Sequence, residues 1–195
     1  DKPSDYGKIE SIAHSELQNG DIIFQTSQSS QSQAIQLATN SKYSHMGIIY
    51  EINGRYFVYE AVGPVQLTQL DGWIKRGKNS NYVVKRLTNS EKILTENNLR
   101  RLKDVGEKYK GKSYDIYFEW TDDNIYCSEL VWKMYKEALG VEIGELQELL
   151  EFDLTSDVVK SKMRERYKDK IPLHEKVISP AAIFESDKLL MSQQN

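Results

Sequence analysis

Two runs of mainly apolar and aromatic residues, 45–51 and 55–61, stand out in the pattern of hydrophobic and polar positions. They are separated by Ile52, Asn53 and Gly54. β-Branched and aromatic residues favour strands, and Asn-Gly favours the positive φ angles of a tight turn. The pattern therefore predicts a β-hairpin whose first strand begins at His45.

The same patterns predict the other elements. Short β-rich runs at 21–24 and 82–87 predict strands. Apolar residues at helical spacing predict helices at 32–39, 70–76, 127–139 and 157–167, with another helical pattern around 145–150. Thr88 and Glu91 have capping-box spacing, which predicts one long helix from there to Gly111. Residues 171–180 are expected to be irregular, so the chain reads as a sheet accompanied by helices.

Composition restricts the class of protein. With 195 residues, 39% of them hydrophobic and 28% charged, the chain is expected to form one domain over residues 1–195. Residues 1–15 are expected to be peripheral, and 141–195 to cover the core with helical and irregular structure. A net charge of −3 gives no basic field for a phosphate backbone, so no nucleic-acid partner is expected.

The location of the protein is less constrained. No apolar run reaches the roughly 18 residues of a membrane span, although peripheral contact with a membrane or cell wall is compatible with the sequence. The chain opens with Asp1 rather than Met. We therefore expect an exported protein of the periplasm or cell envelope whose targeting segment has been removed, with a cytoplasmic location left open. The oligomeric state is not readable from the sequence.

Cys127 is the one cysteine of the chain and cannot form an internal disulfide. It is predicted to open the helix 127–139, where unpaired backbone N–H groups and the helix dipole favour a thiolate. The alternative is a small buried hydrophobic residue, and position alone does not exclude it.

A thiolate nucleophile needs a nearby imidazole, and His14, His45 and His174 are the three candidates. His45 is preferred because it begins a predicted strand, which can aim the ring. A carboxylate could orient that imidazole, and Glu60 ends the partner strand. The hairpin places positions 61–63 opposite His45. The sequence therefore leaves open whether the side chains of Glu60 and His45 point to the same face of the hairpin. Each residue also has an alternative interpretation without a catalytic role. The His45 ring could be hydrogen-bonded to a backbone carbonyl, and Glu60 could be a solvated carboxylate at the end of a strand.

Signatures of other chemistries are missing from the sequence. There is no Cys-x-x-Cys, His-Glu-x-x-His, P-loop or Gly-x-Ser-x-Gly motif. Asp115, Asp122 and Asp123 do not have EF-hand spacing. Neither a metal site nor a cofactor is therefore expected.

Several segments resemble one known superfamily. They are Gly20–Phe24, Tyr43–Gly47, Tyr59–Pro64, Gly111–Asp115 and Tyr126–Val131. They resemble the NlpC-type papain-like cell-wall peptidases, and specifically the circularly permuted YiiX/YebB-like group, in which the histidine strand precedes the cysteine helix. The resemblance covers most of the chain. It implies an α+β papain-like fold with a central antiparallel sheet packed against helices and the nucleophile at a helix N-terminus.

The resemblance also implies roles for individual residues. Cys127 would be the nucleophile, His45 the general base and acid, and Glu60 the third member that orients the imidazole. Tyr114, together with Tyr43 and Ser44 of the histidine motif, would contact substrate.

The activity that the resemblance implies is hydrolysis of an amide bond through a thioester. The expected substrate is a peptide of peptidoglycan type. One alternative is a thiol acyl hydrolase or acyltransferase that acts on a lipid-linked small substrate, which an apolar groove would favour. A non-catalytic binding module is the second alternative.

Overall fold

A computed structural model describes residues 16–195 of the protein. The strands in this range are β1 Ile22–Gln25, β2 His45–Ile52, β3 Arg55–Ala61, β4 Val65–Gln69, β5 Val83–Leu87, β6 Gln147–Glu148, β7 Lys176–Val177 and β8 Leu189–Gln194. The helices are α1 Ser32–Thr39, α2 Leu70–Arg76, α3 Ser90–Ile93, α4 Glu96–Tyr109, α5 Cys127–Leu139, α6 Asp157–Tyr167 and α7 Pro180–Phe184. Short 3₁₀ turns occupy Lys78–Ser80 and Leu149–Glu151.

A six-stranded antiparallel sheet forms the centre of the fold. Its strand order is β4-β3-β2-β1-β5-β8, and β6 pairs with β7 in a separate two-stranded ribbon. β2 and β3 form the hairpin that Asn53 and Gly54 close, both with positive φ. The predicted α+β fold with helices packed on an antiparallel sheet is confirmed.

The two faces of the sheet pack against different helices. Alternate side chains, such as Met46 and Ile48 of β2, face a large core with α4 and α5. Ile49 and Val58 face the other way, toward a smaller core formed with Trp73 and other residues of α2. α5 therefore packs on one face of the sheet, while α2 covers the other.

Most of the predicted elements are confirmed, four of the helices with the bounds predicted for them. The long helix that was predicted to begin at Thr88 is wrong, because α3 ends at Ile93 and α4 begins after Thr95. The helix predicted around 145–150 is also wrong, because that segment forms β6 and a 3₁₀ turn. Residues 141–195 do more than cover the core, since β8 is an edge strand of the central sheet. The expectations for residues 1–15 and for His14 lie outside the described residues.

In the described part of the chain, we find no helix that is long and apolar enough to cross a membrane.

Gly47 belongs to β2, which lies between β1 and β3, and no side chain fits at this position. A Cβ atom there would meet Val58 Cγ1 at 2.4 Å and the Tyr59 carbonyl oxygen at 2.7 Å. Overpacking of this kind costs about 1–3 kcal/mol, so we expect Gly47→Ala to lower the melting temperature by roughly 2–12 °C. Differential scanning calorimetry checks the prediction.

Gly72 provides the matched control for Gly47. It lies in α2, and a Cβ atom there would meet nothing within 4 Å. Because alanine is favoured over glycine inside a helix by about 1 kcal/mol, Gly72→Ala is expected to leave stability unchanged or raise it slightly. Equal melting temperatures for the two variants would contradict the steric argument at Gly47.

Candidate active site

Cys127 is the first residue of α5 and is buried, with 3% of its surface exposed. The start of this helix is held from two sides. The Tyr126 backbone N–H donates to Glu129 Oε2 at 3.3 Å, and Ser128 Oγ donates to the Ile178 carbonyl at 2.7 Å. Glu129 also pairs with Lys133 at 2.8 Å. The thiol therefore lies at a fixed helix N-terminus, as predicted from the sequence.

His45 is the first residue of β2, and its imidazole lies between a carboxylate and the thiol. Nε2 is 2.6 Å from Glu60 Oε2, and Cys127 lies near enough to the ring to raise its pKa. Burial lowers the pKa of His45, but the interactions with Cys127 and Glu60 outweigh it and raise this pKa to about 9. Since Nε2 faces Glu60, Nδ1 is the nitrogen left for the thiol.

Strand register explains how Glu60 reaches His45. Ile48 pairs with Tyr59, and continuing this register places His45 opposite Val62. Glu60 is two positions from Val62 and therefore points to the same face, diagonal to His45. Gly47 lies directly opposite Glu60 and has no side chain to separate the pair.

Glu60 is fully buried and accepts hydrogen bonds from several groups besides His45. Trp73 Nε1 donates to Oε2 at 2.9 Å, Thr68 Oγ1 donates to Oε1 at 2.6 Å, and Arg76 Nη2 forms an ion pair with Oε1. Burial raises the pKa of Glu60, but His45, Thr68 and Arg76 together lower it below the ordinary value. The carboxylate is therefore held in its charged form.

Three of these partners were missed by the sequence reasoning. Thr68 lies on β4, which pairs with β3, while Trp73 and Arg76 lie on the next element, α2. The Trp73 ring also stacks on the His45 imidazole, with centroids 5.9 Å apart and an interplanar angle of 27°. Helical spacing had indicated α2, but no motif in the sequence marked Trp73 or Arg76 as partners of Glu60.

Tyr114 lies beside Cys127. Its hydroxyl accepts a hydrogen bond from Gln31 Nε2 at 2.8 Å, and Gln31 Oε1 in turn accepts one from Arg166 at 2.6 Å. Burial and the charge of Cys127 raise the pKa of Tyr114 well above its ordinary value. The hydroxyl therefore stays protonated, and its own hydrogen remains available to a bound group.

Ser44 and Tyr43, the other expected substrate contacts, differ in position. Ser44 Oγ is 2.6 Å from Ser32 Oγ and accepts from the Ser27 backbone N–H at 2.9 Å. Tyr43 packs in the core against Phe184, with ring centroids 4.3 Å apart. Its ring is thus used in the core, and a direct contact between Tyr43 and substrate has no structural support.

Two depressions meet at this site. The apolar groove, about 100 Å³ in volume, is lined by Cys127 together with apolar side chains that include Ala34, Ala38, Phe152, Val159 and Met163. The polar pocket, about 540 Å³ in volume, is lined by His45 and Arg76 with a set of amides and hydroxyls. Ser44 and Tyr114 line both depressions. A bound molecule could therefore extend to either side of the thiol–imidazole pair.

Known proteins are similar to this chain in sequence and fold. It is 50% identical over 172 residues to "Uncharacterized protein YiiX" of Escherichia coli (strain K12), covering 88% of this chain and 84% of that one. The crystal structure of "metalloprotein yiiX" from Escherichia coli O157:H7 superposes with a TM-score of 0.88 at 47% identity. That alignment covers 92% of this chain and 98% of the other.

The word metalloprotein in that name raises the question of whether this chain's site could hold an ion. Within residues 16–195, no group of three or more His, Cys, Asp or Glu side chains is arranged to hold a metal. The His45 imidazole is also engaged by Glu60 and Cys127. The described residues of this site therefore do not fit a metal ion.

The chain also matches the sequence model of a protein family. The model for the permuted papain-like amidase enzymes, YaeF/YiiX, C92 family, matches residues 16–191. That range contains the cysteine helix, the histidine strand and both depressions. The enzyme class expected from the sequence, a papain-like cysteine peptidase or amidase, is thereby confirmed. With this match and the 50% identity to the Escherichia coli relative, the chain belongs to the permuted papain-like amidases of the YaeF/YiiX family.

Proposed function

We propose that the protein hydrolyses N-acyl amides whose acyl part is apolar, through a thioester on Cys127. His45 acts as the base and acid, and Glu60 holds the imidazole in position. The observation that carries this proposal is the placement of the apolar groove at the thiol and of the polar pocket at the imidazole.

The chemistry follows from the two partners of His45. The Cys127 thiolate attacks the carbonyl carbon to form a C–S bond, and the C–N bond then breaks as the imidazolium gives its proton to the departing amine. A water molecule next attacks the thioester while His45 takes its proton, which releases the carboxylic acid and restores the thiolate. The Cys127 backbone N–H and the Tyr114 hydroxyl are the donors proposed for the oxyanion.

The order of groups across the site indicates which depression holds each half of the substrate. The leaving amine must lie on the imidazole side because His45 delivers its proton. The acyl chain then lies on the thiol side, in the apolar groove. Each buried methylene contributes about 0.8 kcal/mol, so this groove favours a hydrocarbon chain over the polar acyl groups of a peptidoglycan-type peptide.

Substrate panels with native protein and Cys127→Ala test the proposal. Native protein is incubated with N-acyl amides of increasing chain length and, separately, with muropeptides. We expect the mass of the acyl chain to appear on native protein, and kcat/KM to rise roughly three- to fourfold per methylene until the groove is filled. Cleavage of muropeptides alone would favour the peptidoglycan reading instead. Release of nothing beyond what Cys127→Ala releases would contradict both.

The same substrates test the alternative activity, transfer of an acyl group from a lipid-linked substrate. Its distinguishing product is an acyl group transferred to an added alcohol or amine rather than to water. A free carboxylic acid as the sole acyl product, released with the amine, supports the hydrolase.

The Tyr114 hydroxyl is expected to assist the chemical step. Removing one oxyanion donor costs about 10²–10³-fold in kcat, so we expect a loss of roughly 10²-fold for Tyr114→Phe with little change in KM. Tyr117→Phe is the control, because this tyrosine carries the same hydroxyl but is 44% exposed. A raised KM with native kcat would assign Tyr114 to substrate binding instead.

A further inference from the structure

Three hydrogen-bonded side chains connect α6 with the active site. Arg166 of α6 donates from Nη2 to Gln31 Oε1 at 2.6 Å, and Gln31 Nε2 donates to the Tyr114 hydroxyl at 2.8 Å. Arg166 lines the apolar groove, Gln31 lines the polar pocket, and Tyr114 lines both. We call these three residues the tyrosine network. It ends at the tyrosine beside Cys127 and can therefore affect the reacting groups.

The direction of each hydrogen bond in the tyrosine network follows from its outer end. A guanidinium has only N–H donors, so the atom of Gln31 that faces Arg166 must be the carbonyl oxygen. The amide nitrogen then faces Tyr114, and because this nitrogen can only donate, the Tyr114 oxygen must accept. The hydroxyl hydrogen has no acceptor among residues 16–195. Arg166 thus determines that Tyr114 presents a donor to a bound group.

The outer members of the network are held in place. Arg166 Nη1 donates to the Ile116 carbonyl at 2.8 Å, and the guanidinium lies over the Phe118 ring, 5.4 Å from its centroid. Gln31 is the N-cap residue of α1, but its side chain makes no capping hydrogen bond. The amide of Gln31 is therefore used by Arg166 and Tyr114 rather than by its own helix.

The direction of the last hydrogen bond matters because an oxyanion can only accept. With the amide as observed, the Tyr114 hydrogen points away from Gln31 and is available to the oxyanion. If the amide turned over, its oxygen would accept that hydrogen, and the hydroxyl would meet the oxyanion with its lone pairs. Donors that are already oriented before the reaction stabilise the developing charge most effectively.

We propose that Arg166 and Gln31 are positioning residues of the reaction: Arg166 fixes the orientation of the Gln31 amide, and the amide turns the Tyr114 hydrogen toward the oxyanion. This inference rests on the proposed function, because it assumes that Tyr114 donates to an oxyanion formed at Cys127. Through Arg166, the segment 141–195 then contributes to catalysis as well as to the core.

Gln31→Glu tests the direction of the hydrogen bonds. The carboxylate keeps the shape of the side chain and the contact with Arg166, but it only accepts hydrogen bonds and therefore attracts the Tyr114 hydrogen. Loss of one oxyanion donor costs about 10²–10³-fold, so we expect kcat on an N-acyl amide to fall roughly 10²-fold with little change in KM. In a Tyr114→Phe background the same substitution should cost little more, because the donor is already absent. Melting temperatures show whether the variants fold.

Two reagents separate the oxyanion from the thiolate without depending on the natural substrate. p-Nitrophenyl acetate acylates Cys127 through an oxyanion and releases p-nitrophenolate. Iodoacetamide alkylates the same sulfur by displacement of iodide, and no oxyanion forms. We expect Gln31→Glu to slow the acylation roughly tenfold or more and to leave the alkylation largely unchanged. A negative charge that acted on the thiolate itself would change both rates.

Substitutions of Arg166 test the outer end of the network. Arg166→Lys keeps a group that only donates, so it should retain most of the acylation rate. Arg166→Met allows the Gln31 amide to turn over and should lower this rate severalfold. Arg164→Met is the control, because Arg164 lies on the same helix, is exposed and lines neither depression. If Arg166→Met does not fold, Gln31→Glu with and without Tyr114→Phe decides the question.

The possible results distinguish this inference from the proposed function. Native kinetics for Gln31→Glu, or an equal loss with and without the Tyr114 hydroxyl, would overturn the positioning role, while cleavage of N-acyl amides by native protein would still support the proposed function. If no N-acyl amide is cleaved but Gln31→Glu slows acylation only when Tyr114 is present, the proposed substrate is wrong and the positioning role stands. Absence of any acylation of native Cys127 would overturn both.

Discussion

Replacement of His45 by glutamine is expected to lower kcat/KM by roughly 10⁴-fold or more, because the thiol then loses both the group that accepts its proton and the acid that protonates the leaving amine. In the native protein the imidazolium persists to a pH of about 9. Native activity should therefore fall as the pH rises through this value, since the acid form of His45 is then lost. Steady-state kinetics on an N-acyl amide across pH 5–10 provide the measurement.

His174→Gln is the control for this prediction. His174 also hydrogen-bonds to a glutamate, with Nδ1 3.0 Å from Glu148 Oε2, but its side chain is 80% exposed. The His174→Gln variant should retain native kinetics. Alkylation by iodoacetamide at pH 6 gives a second comparison, because the thiolate is the form that reacts and a neighbouring imidazolium favours it. Equal alkylation rates for native protein and His45→Gln would contradict the pairing of His45 with Cys127.

The elements that could be predicted from the sequence are those set by local rules. The hairpin depended on Asn53 and Gly54, and α5 depended on apolar spacing that ends at Gly140, the left-handed C-cap. Thr88 misled the prediction because its hydroxyl donates to the Lys188 carbonyl, a partner 100 residues away, while Thr95 caps α4. A capping-box spacing shows that a cap is available but does not show which threonine is used.

Long-range pairing explains the remaining errors in the fold. The segment predicted as a helix near residue 147 instead pairs with β7, with Gln147 opposite Val177. The edge strands β4 and β8 were missed because each buries only its first residue fully, so neither shows a clear alternation. The secondary structure of such segments depends on pairing partners that are distant in sequence, and a single sequence does not reveal these partners.

The positions of Cys127 at a helix start and His45 at a strand start could be predicted, but the groups packed around them could not. A lone cysteine at a helix start and a histidine at a strand start are visible in the pattern. The contact between His45 and Glu60 depended on a register that the turn alone left open. Trp73 and Arg76 reach the site through the packing of α2 on the sheet, and this packing leaves no local signature.

Replacement of Glu60 by alanine is expected to be the most destabilising change in the site. It leaves the buried Trp73 donor, the part-buried Thr68 hydroxyl and the positive charge of His45 without their acceptor. Breaking a buried ion pair costs about 3–5 kcal/mol, which corresponds to a fall of roughly 6–20 °C in melting temperature. Glu60→Gln keeps the volume but places an amide donor against the donors of His45 or Arg76, and we expect roughly 10²–10⁴-fold lower kcat/KM.

The pH dependence of stability distinguishes this pair from a surface contact. The raised pKa of His45 stabilises the fold fully below 6.5, and this contribution disappears as the pH rises through about 9. The lowered pKa of Glu60 stabilises the fold above 4.5, and this contribution disappears as the pH falls through the folded-state pKa. Urea denaturation should therefore show the largest stability difference between native protein and Glu60→Gln at about pH 5–6.5, with a decline toward pH 9–10. Glu148→Gln, which breaks the exposed contact with His174, should change stability by no more than about 0.5 kcal/mol across this range. A constant difference between native protein and Glu60→Gln from pH 5 to 10 would show that Glu60 acts through packing rather than through the charge of His45.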